Sequence, residues 1–387
     1  MTERPEYLTS QLITYLGNKR SLLSFISEAL DFVRRGLAKE KLDCLDVFSG
    51  SGIVSRLMKS HSSFIAANDR ELYAKIINDC YLASPSEAEK KLLQALHLDL
   101  CERVNQDLRT LERNRAFKSA GFISKLYAPE DDERILQNER CFYTPRNAAY
   151  IDLMRQTIEK TVPPSLKHFF IAPLLAEASV HANTGGIFKG FYKNSLTGIG
   201  QFGGTGRNAL ARICGNIDLP FPVFSAFFCP AKTFCADANA LVHSAALYEG
   251  REDAVFDIAY IDPPYNQHPY GSNYFMLNLI AAYCEPDTAH ISPASGIPHD
   301  WNRSVYNKKR AAADAFEDLI AAVRTRYAVI SFNSEGFIPR TRMESILSRY
   351  GTLTVFECRY NTFRASRNLR ARNAYVKEYF YVLKKFT

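Results

Sequence analysis

Seven short apolar runs, several of them ending in or leading into Asp or Asn, limit the fold of this 387-residue chain more than any other feature. They are Asp43–Phe48, Ser63–Asn68, Lys232–Ala236, Phe256–Ile261, Tyr327–Asn333, Leu353–Tyr360 and Glu378–Lys385. Runs of this length, apolar and bounded by turn-forming residues, are strand-like. Helical patterns follow several of them, as in Ile53–Ser60 and Tyr274–Cys284. Repeated strand–helix alternation predicts an α/β fold with a mostly parallel sheet covered on both faces. No helical pattern separates the last two runs, which predicts an antiparallel pair at the sheet edge.

Between the second and third runs lies a long interval, roughly Cys80 to Pro230. Its first half is charged and helix-prone (Glu87 to Phe117), and its second half is rich in Gly, Asn and aromatics. A compact fold does not carry a structureless loop of that size. The expectation is an inserted, largely helical domain over about 81–230. The sheet domain is then discontinuous, built from 1–80 and 231–387.

In an open parallel sheet, ligands bind beyond the carboxyl ends of the strands. The first run leads from Asp46 through Val47 and Phe48 into Ser49-Gly50-Ser51-Gly52, and a helix starts near Ile53. Glycines at such a turn let the backbone approach a ligand closely. The second run ends at Asn68-Asp69, 17 residues after Gly52. A carboxylate there can accept both hydroxyls of a ribose. A dinucleotide site wants a third glycine where this chain has Ser55, so a nucleoside cofactor without a pyrophosphate fits better. Asp237, after the third run, suits an adenine ring edge or equally a helix cap.

The fourth run delivers the sharpest chemistry: Asp262-Pro263-Pro264-Tyr265. Two prolines fix the backbone and remove two N–H donors. With the Asp262 carboxylate they leave a pocket that only accepts hydrogen bonds, and Tyr265 adds an aromatic face. An amino group on a flat ring matches that arrangement. Its N–H bonds donate to Asp262 and to the Pro263 carbonyl while the ring stacks on Tyr265.

On these residues the chain resembles the Dam-like class of adenine-specific DNA methyltransferases, and within it the modification enzymes of type IIS and other restriction systems. The resemblance runs from about Tyr15 to Lys385. It implies a Rossmann-like, S-adenosylmethionine-dependent sheet of seven strands with the last reversed, and an inserted DNA target-recognition domain. Tyr15-Leu16-Gly17-Asn18-Lys19 is similar to the segment that closes over the cofactor. Asp46, Phe48, Ser49, Gly50 and Gly52 resemble the cofactor loop, and Asp69 its ribose-binding acid. Asp262 to Tyr265 is then the catalytic motif, its acceptors turning the amine lone pair toward the methyl donor and stabilising charge that develops on nitrogen. The adenine must leave the duplex to reach it, and stacking on an aromatic ring recovers part of that cost.

The segment His181 to Lys193 resembles the stretch that carries DNA past the active site, with Asn183, Lys189 and Lys193 as candidate contacts. The family often has Tyr before the Asn, where this chain has Ala182. Arg364, Arg367, Arg370 and Arg372, between the last two runs, suit phosphates or a groove edge. Tyr270, with Asn273 and Tyr274, follows the catalytic motif and suits the wall of the base pocket.

Charge agrees with a polyanionic partner. From Trp301 to Thr387 there are 17 Lys and Arg against 7 Asp and Glu, whereas the rest of the chain has 31 against 34. Nine scattered cysteines without a CxxC pair or a nearby His cluster read as reduced cytosolic thiols and give no zinc site. No apolar run approaches the roughly 18 residues of a membrane span, and Met1 to Ser10 lacks a signal-peptide core. The expected protein is cytoplasmic and associated with the nucleoid, free of metal and membrane, and a monomer on double-stranded DNA; the resemblance leaves room for a cognate endonuclease encoded nearby, which need not bind it. Two rival readings are an RNA amino-methyltransferase and an inactive DNA-binding regulator with the same fold. A nicotinamide oxidoreductase gives the Asp262 motif no role.

Overall fold

The computed structural model describes residues 2–204, 206, 209–250, 252–361 and 375–386. Seven strands form one sheet: β1 (Leu42–Asp46), β2 (Ser62–Asp69), β3 (Ala231–Cys235), β4 (Phe256–Ile261), β5 (Thr325–Asn333), β6 (Gly351–Asn361) and β7 (Tyr375–Lys385). Their order is β3-β2-β1-β4-β5-β7-β6. The first five are parallel to one another, and β7 runs antiparallel between β5 and β6. The expected antiparallel pair is therefore present, with the reversed last strand inside the sheet and β6 at the edge.

Alternation along the strands builds two cores. Cys44, Ile65, Ile258, Tyr260, Val329 and Val382 face the helices Leu23–Leu37 and Ile53–Met58. Leu45, Ala66, Ala259, Ile261, Ile330 and Leu383 face Ala238–His243, Ala312–Ala322 and Arg340–Leu347. Successive side chains of a strand point to opposite faces, so β4, with all six residues buried, reads as a continuous apolar run. The helix Leu23–Leu37 buries Ile26, Ala29, Leu30 and Val33, the three-to-four spacing of one helix face.

The long interval opens on a 27-residue helix, Glu87–Arg113, started by a capping box between Ser86 and Glu89. The helices Phe122–Tyr127, Pro145–Thr161 and His168–Val180 follow, and the chain is then largely irregular up to β3. Its core is not separate. Tyr150, Met154, Phe170 and Leu174 share one cluster with Tyr73 and Ile77 from Leu72–Leu82 and with Phe275 and Leu277 from Phe275–Ala282. The irregular part is pinned beside the Asp262 motif, because the Phe188 N–H donates to the Asn273 carbonyl at 2.7 Å. Among the described residues no helix is long and apolar enough to cross a membrane.

Candidate active site

The strand ends of β1, β2, β3 and β4 converge on one cavity. Phe48, Asp69, Ala236 and Asp262 line it from those strand ends, and Tyr15, Leu16 and Gly17 from the N-terminal segment. The glycine turn 49–52 follows Phe48 but does not itself line the cavity. Gly50 has φ +51° and Gly52 φ +74°, in the left-handed region that costs an L side chain about 1–2 kcal/mol. The Gly50 N–H donates to Asp69 Oδ2 at 2.8 Å, which ties the turn to the end of β2.

The N-terminal segment closes over that turn. The Tyr15 ring stacks on Tyr270 and Tyr274, with centroids 5.0 and 5.1 Å apart. The Leu16 N–H donates to the Tyr274 hydroxyl at 2.8 Å, and the Tyr270 hydroxyl donates to the Leu16 carbonyl at 2.9 Å. Tyr270 therefore belongs to this clamp and to the cavity wall. The hydroxyls of Tyr270 and Tyr265 both point toward Gly17, lying 3.4 and 3.8 Å from where a Cβ there would sit.

Four carboxylates crowd the strand ends, and burial pushes each up. Asp46 and Asp262 are raised to about 7, Asp69 to about 6 and Glu71 to about 7. Hydrogen bonds counter the rise: Asp69 accepts from the Gly50 and Glu71 N–H groups, and Glu71 from the Asn278 and Asn302 amides. At Asp262 the counterweight is the Lys19 ammonium, 3.2 Å from Oδ1, while Glu378 pushes the other way.

Several residues expected to face the cofactor are turned elsewhere. The Asp46 carboxylate is buried and accepts the Ser55 hydroxyl at 2.6 Å, so it holds the turn instead of reaching the cavity. Ser55 thus occupies the third-glycine position to serve Asp46. Ser49 donates to the Asn68 carbonyl at 3.0 Å and accepts from Asn78, facing β2. Asn18 accepts the Arg20 N–H at 2.9 Å and shapes its own turn. Lys19 lies behind Asp262, bound to Asp262 and Glu378, and does not reach over the cavity. Asp237 caps Ala238–His243 through the Ala240 N–H and pairs with Arg70 at 2.5 Å, so of its two readings the cap is realised, at the cavity rim.

Of the candidate DNA contacts, Asn183 is wholly buried. Its amide donates to the Cys141 and Gln201 carbonyls, both at 2.8 Å, and accepts the Gly203 N–H at 3.0 Å. It therefore braces the segment from within and offers no surface to DNA, a correction to the contact read from the motif. Lys189 and Lys193 are exposed, and Lys193 lies over the Phe191 ring at 5.0 Å. Arg364, Arg367, Arg370 and Arg372 lie outside the described residues.

Sequence reasoning missed Glu71, Asn302, Ser304, Tyr306 and Asn307, which complete the cavity. Tyr306 meets the Phe48 ring edge-on at 5.3 Å and donates to Asn239 Oδ1 at 2.8 Å. Asn307 donates to the Asn266 carbonyl at 2.8 Å, tying this wall to the catalytic motif. The signal was a polar-aromatic stretch, Asn302 to Asn307, with no spacing that distinguishes it from a surface loop. No cluster of His, Cys, Asp and Glu able to hold a metal occurs among the described residues.

A sheet with its last strand reversed, a cavity between the strand ends and the N-terminal segment, and an Asp-Pro-Pro-Tyr strand end that opens into it define an amino-methyltransferase class of site. Similarity to known proteins sharpens this. The profile of the D12 class N6 adenine-specific DNA methyltransferase family matches residues 15–201 and 236–346, and the chain belongs to that family. It is 27% identical over 383 residues to the type II methyltransferase M.NlaIII of Neisseria lactamica, covering 96% of this chain and 99% of that one. It is 26% identical to M.CviAII of Paramecium bursaria Chlorella virus 1, covering 91% of this chain and 93% of that one. With M.FokI of Planomicrobium okeanokoites the identity is 25%, over 96% of this chain and 52% of the longer relative. The chain is accordingly an adenine-specific DNA methyltransferase, and the RNA-directed and oxidoreductase readings fall away.

Proposed function

We propose that the cavity takes S-adenosylmethionine and that Asp262 holds the adenine amino group in line with it. When bound, S-adenosylmethionine would supply an electrophilic methyl. The donor set fits it. The edge-on pair of Phe48 and Tyr306 offers an apolar slot for a purine. Asp69 and Glu71 keep acceptor capacity for ribose hydroxyls, because each carboxylate oxygen takes more than one hydrogen bond. Arg70, which also lines the cavity, is paired with Asp237, so a phosphate meets carboxylates where it needs cations.

The observation that carries the proposal is that Asp262 and Pro264 line the same cavity as Phe48, Asp69 and Tyr15. The acceptors for an aryl amine and the acceptors for a nucleoside thus share one space. Asp262 with the Pro263 carbonyl takes the two amino N–H bonds, and Tyr265 carries the ring of the flipped base. Each group acts before reaction by orientation and during it by stabilising positive charge on nitrogen. Equilibrium binding of S-adenosylmethionine, followed by transfer of its labelled methyl to unmethylated duplex DNA, tests the reading. Binding without transfer, or transfer without Asp262, contradicts it.

The interval 81–230 serves, in this proposal, as the target-recognition part of the molecule. Lys189, Lys193 and the four arginines of the β6–β7 connection contact the DNA backbone. The relatives named as type II methyltransferases support a role as the modification partner of a restriction endonuclease, acting in the cytoplasm as a monomer on DNA.

A further inference from the structure

Behind Asp262 lies a buried group of charges that neither the cofactor nor the base requires for its own binding. Lys19 Nζ is 3.2 Å from Asp262 Oδ1 and 2.8 Å from Glu378 Oε1, and the Lys19 and Glu378 side chains are 4% and 0% exposed. Glu378 is on the reversed strand β7, opposite Asn333 of β5 and Cys358 of β6. The Ser331 hydroxyl donates to the same Oε1 at 2.5 Å, which fixes the carboxylate. Its other oxygen, Oε2, is buried and has no hydrogen-bond partner among the described residues.

A buried carboxylate oxygen left unpaired is costly, and natural cores rarely keep one without a use. The Lys19 ammonium has three donors and cannot escape to water from this position. It also weakens Asp262 as an acceptor, because the oxygen it holds at 3.2 Å must share its negative charge between the ammonium and an adenine amino group. A second carboxylate with spare acceptor capacity, already touching the same ammonium, resolves that conflict. We propose that Glu378 is a positioning residue for methyl transfer. As the amino group docks on Asp262, Lys19 shifts its donors from Asp262 to Glu378, whose Oε2 receives them. The cation stays paired throughout, and Asp262 is freed only when a base is present. The reversed strand, unusual in an otherwise parallel sheet, is what brings this second carboxylate beneath the catalytic one.

The inference rests on the role proposed for Asp262, and one set of variants separates the two. Asp262→Ala tests the catalytic reading alone. If that variant transfers methyl at the wild-type rate, the failure lies with Asp262 and the Glu378 inference falls with it. Given a dead Asp262→Ala, Glu378→Gln keeps the shape but removes the charge, so Lys19 stays clamped to Asp262. The expected result is a fall in kcat of about 10- to 100-fold, with the DNA KM and S-adenosylmethionine affinity little changed. Adding Lys19→Met removes the clamp, and the double variant, assayed at alkaline pH so that Asp262 stays ionised without its counter-ion, should run about tenfold faster than Glu378→Gln alone. A structural role for Glu378 predicts the opposite, with the second substitution compounding the first. A wild-type kcat in Glu378→Gln, or a double variant slower than either single one, overturns the proposal. Should Glu378→Gln lose cooperative melting, Ser331→Ala decides, since it leaves all charges and only frees the carboxylate. A several-fold drop in its kcat at unchanged KM supports the hand-over, and an unchanged kcat overturns it.

Discussion

The Tyr15 ring rests on Gly50 so closely that a Cβ at position 50 would stand 2.7 Å from Tyr15 Cε1. Real Cβ contacts do not reach that distance, and φ at Gly50 is +51° as well. Gly50→Ala must therefore push Tyr15 out of its stack with Tyr270 and Tyr274, besides straining the turn by about 1–2 kcal/mol. We expect S-adenosylmethionine affinity to fall about tenfold or more, read by calorimetry, with the fold intact by circular dichroism. Unchanged affinity would show that the clamp and the turn do not shape the cofactor site.

A stability effect is expected at Ser55. Its hydroxyl donates to the buried Asp46 carboxylate at 2.6 Å, and Ser55→Ala leaves that oxygen without its partner. The cost of such an orphaned acceptor is about 1–3 kcal/mol. Thermal unfolding should shift down by several degrees at pH 8. The shift should shrink at low pH, where Asp46 is protonated and needs the hydrogen bond less.

Activity and stability should respond to pH in opposite directions. Burial raises Asp262 to about 7, and only the ionised carboxylate is a full acceptor, so single-turnover methyl transfer should climb as pH rises through about 7. Asp46 and Asp69 are raised by burial to about 7 and about 6 from 3.8. The folded state thus holds their protons more tightly than the unfolded chain does. The stability they contribute is full below about pH 4 and is lost as pH rises through 6 to 7. Urea unfolding between pH 5 and 8 should show that decline, and a flat profile in both experiments would mean that the buried carboxylates govern neither property.

Lys189 and Lys193 are exposed on the segment that Phe188 ties beside the catalytic motif. Replacing both with Ala should raise the DNA KM while leaving S-adenosylmethionine affinity alone. The slope of log K against log salt should become shallower by about one for each phosphate that is no longer neutralised. A KM that does not move would place DNA on another face.

The sheet was legible because its signals are local. β4 is apolar along its whole length and runs into Asp262, and alternation along β1 and β2 sorts their residues to two faces. The Asp262 motif and the glycine turn also carry their chemistry within a few residues. What escaped depends on contacts between distant segments. Glu378 is a lone acid in an apolar strand, and only the return of β7 beside β5 brings it to Lys19, 359 positions away. The Asn302–Asn307 wall has no periodicity, and its place follows from Tyr306 meeting Phe48 and from Asn307 meeting Asn266. Motif position assigns Asp46 and Asn183 to ligands, yet it says nothing of side-chain direction. One turns to Ser55 and the other to Cys141 and Gln201.

The central claim is that Asp262 holds an adenine amino group while methyl arrives from S-adenosylmethionine. The most direct test incubates unmethylated genomic DNA with the wild-type chain or Asp262→Ala and labelled S-adenosylmethionine, then identifies the digested nucleosides by mass. Label is expected in N6-methyladenine alone, at one short sequence, with a drop of at least about 100- to 1000-fold in the variant despite normal cofactor binding. Label in another nucleoside, or methyladenine formed equally well without the carboxylate, would contradict the claim.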